Sequence, residues 1–336
     1  MLIGDVFIRI LQLFASILAL LMNTVVIAII IFKSNTLGQY KPIILHTTLF
    51  YIVYSVITIV VAPEIRVHGP IYITFANPQN ILFNKYIAHF LLFLYSGCFA
   101  FSMINVAMRF YYRNYATAGS NLFCSSKNID VNLWFLFPLG YGVFWAVTGF
   151  IFLHQTPEEN KHLQSAITNY LNISSNDIAY IGTYLYPNIE LGYFSNPGSI
   201  VGFYFMASMV ILSITASVYY GSEYYEYMRK YFEISADQAE HNRVYYALWV
   251  EAAIAIILLH IPFTLMVLTS LLGFKTQIMA KILTTTIAMY PVFDTLSTIR
   301  NITVFRATII DILCHFRNTK PEKKEEKSMN TLNSIA

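Results

Sequence analysis

The chain carries little charge. Only 12% of its 336 residues are Asp, Glu, Lys or Arg, against about 25% in an ordinary soluble domain, so charge is too sparse to cover a water-facing exterior. Cysteine is scarce as well. Cys98, Cys124 and Cys314 are the three present, and by the helix reading below they fall in a helix, a short loop and the tail, which argues against a disulfide framework. No His-Glu-x-x-His helix, nucleophile elbow or phosphate-cradling glycine loop occurs. Neither enzymatic chemistry nor a cofactor is therefore expected, and His154 and His162 beside acidic residues make a poor metal set. The net charge is +3, with most basic excess in the tail RNTKPEKKEEK (317–327) rather than on a folded face, so no nucleic-acid partner is expected.

What the chain does have is apolar sequence in long blocks: 57% of residues are hydrophobic and the mean hydropathy is +0.55. A helix crossing the hydrocarbon layer needs about 20 largely apolar residues. Seven runs meet that length, at roughly 7–32, 43–62, 86–108, 131–153, 200–220, 246–271 and 282–305. The first run is far longer than the roughly 7 to 15 residues of a signal-peptide core, so it reads as a retained span. The fold class expected is an all-α membrane protein, a seven-transmembrane-helix bundle over residues 1–317. Its last part, 305–317, spaces Ile309, Ile310, Leu313 and Phe316 as a short amphipathic helix on the membrane surface. Residues 318–336 are polar and expected to be disordered.

Lysine and arginine set the orientation. Lys33, Lys41, Arg109, Arg113, Arg229, Lys230 and the tail fall on one side, which places the N-terminus outside and the C-terminus in the cytoplasm. The glycosylation acceptor Asn172-Ile173-Ser174 agrees, since it lies in the long loop 154–199 on the outer side. That loop, rich in tyrosine and acidic residues, reads equally as a lid over the bundle or as a solvated connector. Cys314, on the amphipathic helix, is a palmitoylation candidate facing membrane lipids.

Ionisable and polar residues inside a membrane are costly and therefore informative. Asp294 lies three residues after Pro291 in the seventh run. A structural network with Asn23 is the favoured reading, and a carboxylate holding water or an ion is the alternative. Glu251 and Arg300 fall at similar depth on the sixth and seventh runs, where a pair between them would break on activation. His260, beside Pro262, and the outer-half residues His89, Phe90 and Phe93 are candidates for contact with a ligand, weighed against plain bundle packing. The third run ends in MRFYYRNY, where Arg109 and Arg113 share one helix face. Together with Tyr112, Arg229 and Lys230 they are candidates for contact with a cytoplasmic partner, although interfacial anchoring alone accounts for arginine and tyrosine there.

Several segments carry a family resemblance. SNTLGQYKPIILH (34–46), MRFYYRNYA (108–116), AEHNRVYYALWVEAAIAIILLHIPF (239–263) and YPVFDTLSTIRNITVFR (290–306), in this order, resemble the nematode serpentine chemoreceptors of the Str superfamily, which are G-protein-coupled-receptor-like. The chain departs from that pattern in two ways: Thr295 replaces the proline after the aspartate, and Glu251 stands where glutamine is usual. Loop 154–199 has no cysteine, so the bridge to the third helix common in the wider receptor class cannot form. The Asp-Arg-Tyr and Asn-Pro-x-x-Tyr motifs of rhodopsin-like receptors are absent. The resemblance implies a chemosensory receptor in the plasma membrane, the sensory cilium being one address. Its partners would be a small-molecule ligand such as an odorant, bound in the outer half of the bundle, and a heterotrimeric G protein on the cytoplasmic side. Without the resemblance, the runner-up is a multi-pass transporter of a small solute, with Asp294 and the proline-bearing helices at its centre. A membrane enzyme would rest on Asp294, Glu251 and scattered histidines alone.

Overall fold

Leucine, isoleucine and alanine dominate the first 31-residue helix, and with no proline or glycine in its interior beyond Gly4 nothing interrupts it: α1 runs Leu2–Phe32. The computed structural model describes residues 2–33, 41–68, 71–76, 84–118, 135–153, 178–184, 197–232, 238–274 and 277–318. Within them α2 spans Lys41–Val61, α3 Lys85–Ala118, α4 Leu136–Phe152 and α5 Pro197–Phe232. Helix α6 runs Gln238–Ala255, continues through a π-helical turn at Ile256–His260 and ends with Ile261–Leu271. Helix α7 spans Ile278–Asn301 and α8 Thr303–Asn318. Five of these, α1, α2, α3, α5 and α6, are long and apolar enough to cross a membrane. Helix α4 is apolar but only 17 residues long, or roughly 26 Å.

Several helix ends differ from the ends of the apolar runs. Helices α3, α5 and α6 extend well past their apolar runs, α3 to Ala118 and α5 to Phe232. The seventh run does not reach 305: Ile302 adopts an extended backbone (φ −90, ψ 115) and separates α7 from α8. The amphipathic helix accordingly begins at Thr303 and ends at Asn318.

The second departure is β-structure. Strands β1 (Pro63–His68), β2 (Ile71–Ala76) and β3 (Ala179–Tyr184) form one antiparallel sheet in the order β1-β2-β3. Pro63 pairs with Ala76, and Ile71 with Tyr184. The chain enters β1 directly from α2 through Ala62, whose φ of 42° lies in the left-handed region, a conformation that costs a non-glycine residue roughly 1–2 kcal/mol. So a stretch of the long loop does cover one end of the bundle, as strand β3. Residues 154–177, including the acceptor Asn172, and 185–196 lie outside the described residues, as does the tail beyond 318.

Helix α3 is the central column. It packs against α2, α4, α5 and α6 and meets β2 and β3 at one end. Most of its length is buried from Leu92 to Tyr112, so polar side chains on it must find partners inside the protein. It crosses α4 closely: a Cβ on Gly97 would stand 2.8 Å from the Gly142 carbonyl oxygen, and one on Gly142 would stand 2.7 Å from that of Gly97. Two glycines thus allow backbone-to-backbone contact, the usual device of helices packed in lipid. Helix α6 stops in a Schellman turn. Gly273 (φ 71°) takes the left-handed position, its N–H donates to Ser270 O at 3.1 Å and that of Phe274 to Thr269 O at 3.0 Å.

Candidate functional site

Two regions at opposite ends of the bundle concentrate the chemistry. At the sheet end a cavity of about 60 Å³ lies directly beneath the strands. Ile65, Tyr72, Thr74 and Ile181 roof it, and Tyr95 and Phe99 of α3, Trp145 of α4, Met206 of α5, Phe263 and Met266 of α6 and Ile287 of α7 contribute its walls. Phe99, Trp145 and Phe263 form an aromatic trio with ring centroids 5.4 to 6.0 Å apart, edge-on and tilted as aromatic quadrupoles prefer. No ionisable acid or base other than tyrosine lines it among the described residues. Ser270 donates to Met266 O and Ser96 to Phe93 O, and the Tyr72 and Thr74 hydroxyls are 2.7 Å apart, while the buried Tyr95 hydroxyl has no hydrogen-bond partner among the described residues. Burial pushes the Tyr72 phenol above its ordinary range, and the Thr74 hydrogen bond partly offsets this. A site of this composition selects by shape and apolar contact.

Ion pairs fasten the roof to the helices. Arg66 of β1 reaches Asp5 of α1 at 3.2 Å, Glu64 at 3.0 Å and the Gln277 side-chain oxygen before α7 at 2.9 Å. Arg9 meets Glu64 at 2.8 Å and Lys281 meets Asp5 at 2.7 Å. Gln12 adds a hydrogen bond to Pro63 O at 3.2 Å. A charged β1 side chain therefore holds α1 and α7 together above the apolar cavity.

At the other end the guanidinium of Arg109 organises four helices. Its Nη1 lies 2.9 Å from Asp294 Oδ1 on α7 and 2.9 Å from Glu251 Oε2 on α6. Its Nη2 donates to Asp294 Oδ2 at 2.6 Å and to the Tyr51 hydroxyl of α2 at 2.9 Å. The Arg109–Asp294 contact is bidentate, which suits a planar guanidinium as it would not suit a lysine. Tyr51 also donates to Asp294 Oδ2 at 2.8 Å, and Tyr290 stands 3.1 Å from the Tyr51 hydroxyl. Thr298 reaches Glu251 Oε1 at 3.3 Å. Beside this cluster is a cavity of about 70 Å³ lined by Thr47, Thr48, Thr298 and Asn301, among others. Asn23 belongs to the neighbouring layer, accepting from Thr295 at 3.0 Å.

The expected site residues are distributed unevenly over these regions. Arg109 and Tyr112 are buried, 6% and 4% exposed, so the rim position expected of them is corrected. Arg109 faces inward because its partners lie on α2, α6 and α7, and Tyr112 packs in an apolar cluster with Val26, Ile43 and Phe305. Glu251 pairs with Arg109 rather than with Arg300, which is exposed. Asp294 is tied to Arg109 and Tyr51, and its neighbour Thr295, not the aspartate itself, meets Asn23. Arg229 and Lys230 are exposed at the end of α5, and Cys314 is exposed on α8. The side chain of Arg113 lies outside the described residues.

Of the ligand candidates, none lines the capped cavity. His89, Phe90 and Phe93 line a wide groove of about 810 Å³ between α3 and α4. His89 Nε2 accepts the backbone N–H of Tyr180 in β3 at 3.2 Å, so it ties the sheet to α3. Phe90 is 66% exposed, whereas Phe93 is buried edge-on against Phe150. His260 is buried in the π-helical turn, with Nδ1 3.2 Å from Ala255 O and Nε2 2.9 Å from the Ser213 hydroxyl of α5. It joins α6 to α5 where Pro262 breaks the regular ladder. No group of three or more metal-ligating side chains occurs among the described residues.

Sequence reasoning missed Tyr51, Tyr290 and the aromatic trio. A tyrosine in an apolar run looks the same whether it faces lipid, core or a carboxylate. For the sheet a signal existed: β-branched and aromatic residues flank Gly69-Pro70 in EIRVHGPIYITF, a hairpin pattern.

Known proteins resemble this chain along nearly its whole length. The G-protein coupled receptor str-217 of Caenorhabditis elegans is 25% identical over 300 residues, covering 87% of this chain and 86% of that protein. The serpentine receptor class r-10 of the same nematode is 24% identical over 321 residues, 92% of this chain and 91% of that protein. The G-protein coupled receptor str-33 is 20% identical over 306 residues. Residues 8–310 match the family described as serpentine type 7TM GPCR chemoreceptor Str, and the chain belongs to that family.

Proposed function

We propose that the protein is a chemosensory receptor of the plasma membrane, oriented with its N-terminus and sheet outside, that couples an uncharged small-molecule cue to a heterotrimeric G protein. The cue sits beneath the sheet, among Phe99, Trp145, Phe263 and Met266. The observation that carries this reading is the shared ownership of two sites: α3, α6 and α7 wall the apolar cavity at one end and supply Arg109, Glu251 and Asp294 at the other.

A cue that fills this small cavity presses on the helices that wall it. The π-helical turn and Pro262 give α6 a point at which to bend. Bending moves Glu251 relative to Arg109, and a ligand that binds the bent state better shifts the population toward it by that difference in affinity alone. With Glu251 withdrawn, the small polar cavity beside Arg109 opens toward the cytoplasm, where Arg113, Arg229 and Lys230 meet the G protein. Asn172 in the outer loop carries glycan, and Cys314 on α8 is available for acylation at the inner leaflet.

The test is a ligand panel on cells expressing the chain with a calcium or nucleotide-exchange readout, in parallel with Ala207→Phe. Ala207 lines the cavity and is only half-buried, so a phenylalanine there fills the site. A cue that activates the wild type and fails on this variant at equal surface level supports the reading. Undiminished activation through the filled cavity contradicts it.

A further inference from the structure

One polar group beneath the sheet is left over. Tyr95 of α3 lines the capped cavity and is only 3% exposed, and its hydroxyl has no hydrogen-bond partner among the described residues. The other hydroxyls on the cavity wall each have at least one. Ser270 and Ser96 donate to carbonyls of their own helices, and Tyr72 and Thr74 bond to each other. A buried hydroxyl left unsatisfied is costly, so an orphan at the wall of a cavity calls for a cause.

Beside Tyr95 stands Tyr54 of α2, also buried, the two rings tilted at 47° with centroids 5.6 Å apart. The Tyr54 hydroxyl is likewise without a partner among the described residues, and Tyr54 does not line the cavity. Counting hydrogens decides what such a pair can receive. Two phenols hold two O–H donors, and if they turn toward one another one hydrogen is used and one remains. A ligand that only donates would still strand one phenol hydrogen, whichever way the pair is oriented. A ligand with an acceptor strands none: Tyr54 donates to Tyr95, Tyr95 donates to the ligand, and each bond polarises the next. No cation lines the cavity among the described residues, so an anionic acceptor would be buried uncompensated. The acceptor is therefore neutral.

We propose that Tyr95 determines the specificity of the cavity, and that the cue is a small, mostly apolar molecule with one neutral oxygen or nitrogen acceptor to which Tyr95 donates. This rests on the reading of the cavity as the cue site and names the chemistry selected there. Phe99, of the aromatic trio, lies four residues beyond Tyr95 and so on the same face of α3. One helix thus presents the donor and a wall for the apolar body side by side.

The experiment measures direct binding to the full chain in nanodiscs by saturation-transfer NMR. The probes are pairs that exchange an acceptor for an apolar group of similar shape: anisole against ethylbenzene, tetrahydropyran against cyclohexane, and pyridine against benzene. Ala207→Phe, with the cavity filled, is the blank for partition into lipid. Above that blank the acceptor members are expected to bind about tenfold more tightly, since a site built around a donor rejects the analogue that leaves it unpaired. Tyr95→Phe should erase the preference by weakening the acceptor members alone, and Tyr54→Phe should keep it, because Tyr95 still donates. Without ligand, the melting temperature of Tyr95→Phe should equal or exceed that of the wild type, as an unsatisfied hydroxyl is removed. A preference that survives Tyr95→Phe, or a ligand-free melting temperature lowered by about 2 °C or more, overturns the proposal. Binding above the blank with no preference for the acceptor overturns it alone and leaves the cue site standing. No binding of any member above the blank overturns both.

Discussion

The two ends of this bundle solve opposite problems. Beneath the sheet the walls are apolar and aromatic, the serine hydroxyls bond within their own helices, and the charges are set outside the cavity as fasteners. Around Arg109 the side chains are polar, and each bonds across to another helix. Apolar contact is non-directional, so the first region can repack around different shapes at modest cost. A buried guanidinium held by two carboxylates and a phenol has few acceptable alternatives, because every broken contact strands a charge. The contrast teaches where adaptability and where two-state behaviour reside in one fold.

The sharpest way to break the contrast is at the polar end. Arg109→Ala leaves Asp294 and Glu251 buried without their cation, and removal of one partner of a buried pair costs about 3–5 kcal/mol. Thermal unfolding in detergent should show most of the folded protein lost. Replacing the set together, as Arg109→Met with Glu251→Met and Asp294→Leu, should restore much of that stability and still abolish cue-driven signalling. Recovery of both would place the switch elsewhere.

The apolar end should respond less in stability and as fully in function. Ala207→Phe overpacks the cavity, for which about 1–3 kcal/mol is typical, and should silence the cue response at near-normal surface expression. The fasteners come next. Arg66→Gln removes two ion pairs of a partly exposed side chain, 12% accessible, and should cost about 1 kcal/mol, an effect that salt screening weakens. It should also speed cue entry and exit, measurable in dissociation kinetics. Smallest in stability are Arg229→Gln and Lys230→Gln, within about 0.5 kcal/mol at exposed positions, but these should weaken G-protein engagement in a salt-dependent manner. Arg113→Glu, one turn beyond Arg109 on α3, should abolish coupling while surface delivery persists.

The same contrast explains what the sequence made legible. Each apolar run falls largely on a described helix because length and hydropathy are properties of a segment alone; the amphipathic spacing of Ile309, Ile310 and Leu313 found α8 in the same way. Asp294 and Glu251 stood out as charges in apolar surroundings, which is also a local signal, whereas Arg109 stood just past the end of its run. Which of them meet depends on how each helix is rotated about its axis, and nothing in one segment fixes that. Glu251 therefore suggested Arg300, of similar depth, when the partner is Arg109. Arg109 suggested an exposed rim through its run of tyrosine neighbours, yet α3 is buried on nearly every side at that level. The cavity was illegible for a further reason: nothing local distinguishes Trp145 and Phe263 from other aromatic residues of their runs until β1, β2 and β3 are placed over them.

Weakening the Arg109 cluster without stranding a charge tests the central claim most directly, that this cluster holds the resting state and the cue releases it. Glu251→Gln keeps the hydrogen-bonding shape and removes one carboxylate charge. Basal and cue-stimulated nucleotide exchange on a purified G protein should be measured for this variant in nanodiscs. If the contact holds the resting state, a loss of about 1.4 kcal/mol raises the active population about tenfold. Basal exchange then rises, and the cue becomes more potent because the binding-competent state is more populated. Unchanged basal exchange with an unchanged cue response would contradict the account.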